Sequence, residues 1–81
     1  MIVIYTQDGT YIKNDADEAF HILTALYGEK LGKEAYNTVY NARIGTIYRK
    51  YGGPRVEVVS EERAEWIREK EMAVGLLAKH T

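Results

Sequence analysis

The spacing of apolar residues changes several times along this chain, and each change marks an element. Residues 2–6, IVIYT, form a short β-branched and aromatic run that reads as a strand. Gln7-Asp8-Gly9-Thr10 reads as a hairpin turn on its Asp-Gly pair, with Thr10 to Lys13 as the returning second strand. Asn14 or Asp15 then caps a helix, with Asp17 and Glu18 at its positive end. Ala16, Ala19, Phe20, Leu23, Leu26 and Tyr27 recur at helical spacing, and Gly28 supplies the stop.

Glu29 to Gly32 reads as a short linker that sends the next helix back against the first. From Lys33 to Tyr51, the residues Tyr36, Val39, Tyr40, Ile44, Ile47, Tyr48 and Tyr51 fall within one half of a helical wheel. That shared arc predicts one long Tyr-rich helix. Asn37, Thr38, Asn41, Gly45 and Thr46 disfavour helix and support a rival reading. In the rival, the helix breaks near Gly45 and residues 46–51 pair as a strand with 55–60 across Gly52-Gly53-Pro54. The arc favours the helix.

RVEVVS, residues 55–60, is then the third strand, with Val56 and Val58 on one face. Ser60 caps a last helix over 61–79, with Glu61 and Glu62 in its first turn. Trp66, Ile67, Ala73, Val74 and Leu77 are its expected core stripe, and Arg63, Glu65, Arg68, Glu69 and Glu71 its wet face. Residues 72–78 are apolar all round, which leaves Met72 and Leu76 off the stripe and suited to meet a second copy.

These elements predict a single small domain over residues 1–81, of α+β class and order ββααβα. A three-stranded, mainly antiparallel sheet packs on helices one and three, and the Tyr-rich helix covers an edge or presents a face. A chain this short buries only about 60% of its unfolded surface, so a homodimer is expected to add stability. Without cysteine there is no disulfide and no thiolate zinc site. His21 and His80 stand at unrelated positions, so no metal or cofactor is expected. The N-terminus lacks a basic leader and no 18-residue apolar stretch occurs, so neither a membrane span nor export is expected, and the cytoplasm is the default location.

The net charge of −1 hides an asymmetry. Residues 1–30 carry two bases and five acids, residues 31–55 five bases and one acid, and residues 56–81 four bases and six acids. The middle is basic between acidic flanks, which suits either internal pairing or an anionic partner. No catalytic pair announces itself, because the only serine is the cap Ser60. The acidic clusters sit at helix starts, where the dipole alone favours them. Gly52-Gly53-Pro54 lacks the Lys-Ser/Thr of a phosphate loop. The helix-turn-helix spacing is absent too: counting from Gly28 gives Thr24 and Glu34, and from Gly32 gives Gly28 and Thr38.

The residues therefore point to a non-enzymatic binding protein of adaptor or inhibitor type, acting through a protein–protein surface and homodimeric through Met72 and Leu76. Its binding face comprises Tyr36, Tyr40, Arg43, Ile47, Arg49 and Lys50, a mixture of Tyr and basic residues that suits a partner better than a dry core. Arg43 and Lys50 lie inside the apolar arc, where an unpaired charge is costly to bury. Either that face is open, or acids such as Glu61 and Glu65 pair with it. One alternative is a nucleic-acid-binding regulator using Arg43, Arg49, Lys50 and Arg55. Another is a module that captures a small anionic ligand with tyrosine hydroxyls and Arg43.

Overall fold

The hairpin of β1 (Ile2–Thr6) and β2 (Gly9–Lys13) is present in a computed structural model that describes residues 1–73 and 75. Thr6 closes its two-residue loop: Oγ1 donates to the Gly9 carbonyl at 2.8 Å and accepts the Asp8 amide at 3.1 Å. α1 (Ala16–Tyr27) begins at Asp15, whose carboxylate accepts the Glu18 amide at 3.0 Å. Glu18 reaches back to the Asn14 amide at 2.8 Å, so two helix-start donors are satisfied reciprocally. Gly28, at φ 94°, ends α1 and immediately precedes α2 (Glu29–Val39). The linker is one residue rather than the expected four.

The long Tyr-rich helix does not form. α2 stops at Val39, Tyr40 is extended, and Asn41 and Gly45 take left-handed backbone at φ 52° and 102°. β3 (Ile47–Arg49) and β4 (Arg55–Val58) follow as a second hairpin, so the sheet has four strands rather than three and the order is ββααββα. Local chemistry outweighed periodicity. Asn41, Gly45 and Thr46 are poor in helix, whereas Ile47 and Tyr48 suit a pleated ladder. The turn accommodates Pro54 by a substitution of donors. Lys50 N–H donates to the Pro54 carbonyl at 3.3 Å; Pro54 has no N–H to return, and the Gly53 amide bonds the Lys50 carbonyl instead at 2.9 Å.

The strand order is β2-β1-β4-β3, antiparallel throughout. Alternation sends Ile2, Ile4, Val56 and Val58 to one face, where they pack with Ala16, Ala19 and Leu23 of α1 and Ala35 and Val39 of α2. Val3 and Ile12 point the other way and pack with Val59, Ala64 and Ile67. β1 is thus apolar at consecutive positions because helices cover both of its faces.

α3 (Glu61–Ala73) supplies the second layer. Ser60 caps it as expected, its hydroxyl accepting the Arg63 amide at 3.1 Å. The stripe is rotated from the expected one: Ala64 and Ile67 are buried, Arg68 and Glu71 half-buried, and Trp66 and Ala73 exposed. Val74 and Leu77 lie outside the described residues. α1 and α2 therefore share one face of the sheet and α3 takes the other, instead of helices one and three sharing the packing. No helix among the described residues is long and apolar enough to cross a membrane.

Candidate functional site

Breaking the long helix scatters the residues expected to share its face. Tyr36 stays on α2, half-buried, with its ring 5.7 Å from Phe20 edge-on and 5.0 Å from Tyr40 in a stack. His21 meets Phe20 at 5.9 Å on α1, which lengthens an aromatic row that the Phe20–Tyr36 contact carries from α1 to α2. Desolvation first, then the neighbouring Asp17 carboxylate, raises the pKa of the Tyr36 hydroxyl. Two concavities adjoin this row. One, of about 340 Å³, is lined by Asp17, Phe20, Lys33 and Tyr36. The other, of about 180 Å³, includes Asp15, Asp17, Val39 and Tyr40. Their carboxylates have the wrong sign for an anionic ligand, and Lys33 is engaged by Glu29 at 2.8 Å. Arg43 lines neither.

Lys50 is tethered to α2. Its ammonium lies 3.6 Å from the Glu34 carboxylate, which also accepts the Tyr48 hydroxyl at 3.1 Å. Burial first, then that hydrogen bond, raises the Tyr48 pKa. The internal partner of Lys50 is thus Glu34, not Glu61 or Glu65. The ion pair is half-exposed and worth under about 1 kcal/mol.

Ile47 and Arg49 lie on β3, the outer strand of the sheet, and Arg43 lies in the loop just ahead of it. Ile47 is opposite Glu57 and Arg49 opposite Arg55, on the face that carries Val3 and Tyr5. α3 packs over Val3 and Ile12, on the β1–β2 half of this face. On the other half Ile47 remains 46% exposed, and Ile44, just ahead of β3, is 68% exposed. No acid occurs between Glu34 and Glu57, while Arg43, Arg49, Lys50 and Arg55 all do. Arg55 bonds Glu57 and lies 5.3 Å from the Tyr5 ring. The side chains of Arg43 and Arg49 have no ion pair, hydrogen bond or ring contact among the described residues.

Some surface features did not follow from the helical periods. Trp66, expected in the core, is 47% exposed, with the Arg63 guanidinium 4.3 Å and the Lys70 ammonium 4.7 Å from its ring. The signal was in the sequence: cations three residues before and four after an aromatic meet it on a helix surface. Met72 is exposed on α3; Leu76, its expected companion in a dimer contact, lies outside the described residues, as does His80. Among the described residues no three His, Asp or Glu side chains cluster as a metal site would require. No protein-family model, curated protein or solved structure matches this chain.

Proposed function

We propose that this protein is a non-enzymatic binding module of adaptor or inhibitor type. It meets another protein through the free β3 edge of its sheet and works as a homodimer joined near Met72. One observation carries the reading of the edge: exposed Ile44 and Ile47 lie next in sequence or strand to Arg43 and Arg49, whose side chains have no ion-pair partner among the described residues. Arginine is enriched at interface hot spots, and the centre of an interface is apolar, so exposed isoleucines beside arginines favour a protein partner. Nucleic acid is less well supported, because Lys50 and Arg55 are each shared with a carboxylate. Two free arginines offer little counterion release.

Capture from native lysate, with and without nuclease, tests this against an Ile47→Asp variant. The variant gives up the half-burial of Ile47 and sets an acid opposite Glu57, so it should melt about 4–8 °C lower yet stay folded by circular dichroism at the capture temperature, and should lose the proteins the wild type retains. Equal capture by both chains sinks the reading. Capture that vanishes with nuclease assigns the surface to nucleic acid.

A further inference from the structure

Among the described residues, β3 leaves part of its backbone unpaired. The Val58 amide donates to the Thr46 carbonyl at 2.9 Å and the Lys50 amide to the Pro54 carbonyl at 3.3 Å. The Thr46 carbonyl and the Lys50 amide therefore face inward, toward β4 and its turn. Alternation along an antiparallel ladder turns the N–H and C=O of Ile47 and Arg49 outward, past the last strand of the sheet. The same alternation makes Arg49 and Arg55 a non-hydrogen-bonded pair, the kind whose side chains stand closest. Like charges directly opposite each other destabilise a ladder. Arg55 has Glu57 and the Tyr5 ring, whereas Arg49 has no acid partner among the described residues.

We infer that this edge takes an extended acidic segment of the partner protein as a fifth strand, antiparallel to β3, with an Asp or Glu opposite Arg49 and an apolar residue opposite Ile47. The inference rests on the edge being the protein-binding surface. In the antiparallel register the acid comes first and the apolar residue follows two positions later. Backbone pairing with Ile47 and Arg49 supplies affinity, and the two side chains supply selectivity. The carboxylate relieves the Arg49–Arg55 repulsion, and the apolar side chain covers Ile47. Arg43 adds a second cation beyond the end of the added strand. A second copy of this chain does not fit, because it would bring Arg43, Arg49 and Lys50 of both copies together.

The probes are eight-residue peptides carrying glutamate two positions before valine, isoleucine, leucine or phenylalanine. Controls replace glutamate by lysine, replace a central residue by proline, or substitute a single-stranded oligonucleotide. Binding is read by fluorescence anisotropy, and hydrogen exchange is followed at the Ile47 and Arg49 amides. The acidic peptides should bind and slow exchange at both amides. Arg49→Glu should weaken binding tenfold or more without lowering the melting temperature, and the controls should not bind. Binding of the lysine peptide or the oligonucleotide with equal strength overturns the inference, as does absence of protection at Ile47 and Arg49. If Ile47→Asp loses its captured proteins yet no acidic peptide protects those amides, strand addition fails while the interface reading stands. If Ile47→Asp keeps its captured proteins, both fail.

Discussion

Gly32 offers the sharpest test of how the two helices on one face are held. It lies where α2 meets α1, and a Cβ added there would fall 2.4 Å from Thr24 Oγ1 and 3.3 Å from Thr24 N. In an open helix, alanine would be favoured over glycine by about 1 kcal/mol. Here overpacking costs about 1–3 kcal/mol, so Gly32→Ala should be neutral to destabilising by about 2 kcal/mol. Thr24 Oγ1 is itself buried without a hydrogen-bond partner among the described residues. Burying an unpaired hydroxyl costs about 1–3 kcal/mol, which Thr24→Ala removes while giving up roughly 0.8 kcal/mol of methyl burial. That single change should therefore stabilise by about 1 kcal/mol. With the hydroxyl gone, the helix preference of alanine at position 32 is expressed, and the double variant should be at least as stable as Thr24→Ala.

The coupling between the two sites should thus be about 1–3 kcal/mol, read from thermal and urea melts of the four proteins. Each kcal/mol corresponds to about 4–8 °C in a chain of this size. Additivity to within about 0.3 kcal/mol, or a Gly32→Ala chain that melts higher than the wild type, would refute the close approach.

Raised phenol pKa values predict loss of stability in base. Burial is the first cause at Tyr5, Tyr27 and Tyr48; above pH of about 10 the unfolded phenols ionise first, so the unfolded state holds fewer protons and stability falls with rising pH. Below that pH the contribution is complete, and a melting temperature that stays flat from about pH 9 to 11 would contradict the assignment. Arg49→Glu should place opposite charges across the ladder and raise stability by about 0.2–1 kcal/mol; a clear drop in a urea melt would mean that Arg49 has a stabilising contact. For the dimer, light scattering should give twice the monomer mass for the wild type and a folded monomer for Met72→Asp, and a wild-type monomer at high micromolar concentration removes the proposal.

The first two strands, the Asp15 and Ser60 caps and the Gly28 stop were legible because each depends on neighbours in sequence. Asp15 bonds Glu18, and Ser60 bonds Arg63. The Tyr-rich segment misled because its side chains serve two elements at once. Tyr36 and Val39 belong to α2, Tyr48 to β3, and their common arc on a helical wheel is coincidental to the fold. What decided the matter was non-local: a ladder to β4, whose gain no helical period records. The stripe of α3 failed for a related reason. Arg68 and Glu71 are half-buried and Trp66 is not, because the aliphatic parts of long charged side chains can cover apolar surface while an indole finds cover from flanking cations. As for the expected site, Arg43, Ile47 and Arg49 remain together at the sheet edge, while Tyr36, Tyr40 and Lys50 go to the α2 side.

A charged edge has a plain explanation that the proposed function must exceed. Exposed strands are commonly guarded by basic side chains against unwanted pairing. A guard, however, needs only one charge, and it works as well opposite an acid as opposite another base. Ile47, nearly half-exposed, faces the acid Glu57, while Arg49 faces Arg55. Exchanging the residues at 47 and 49 would set Arg against Glu57, remove the repulsion and keep the edge charged. Among the described residues the arrangement present therefore leaves a cation without an acid and an apolar side chain half-covered on the same strand, side by side with two outward amides. Protection alone explains neither vacancy. An incoming strand that carries an acid and, two positions later, an apolar residue accounts for both with a single contact.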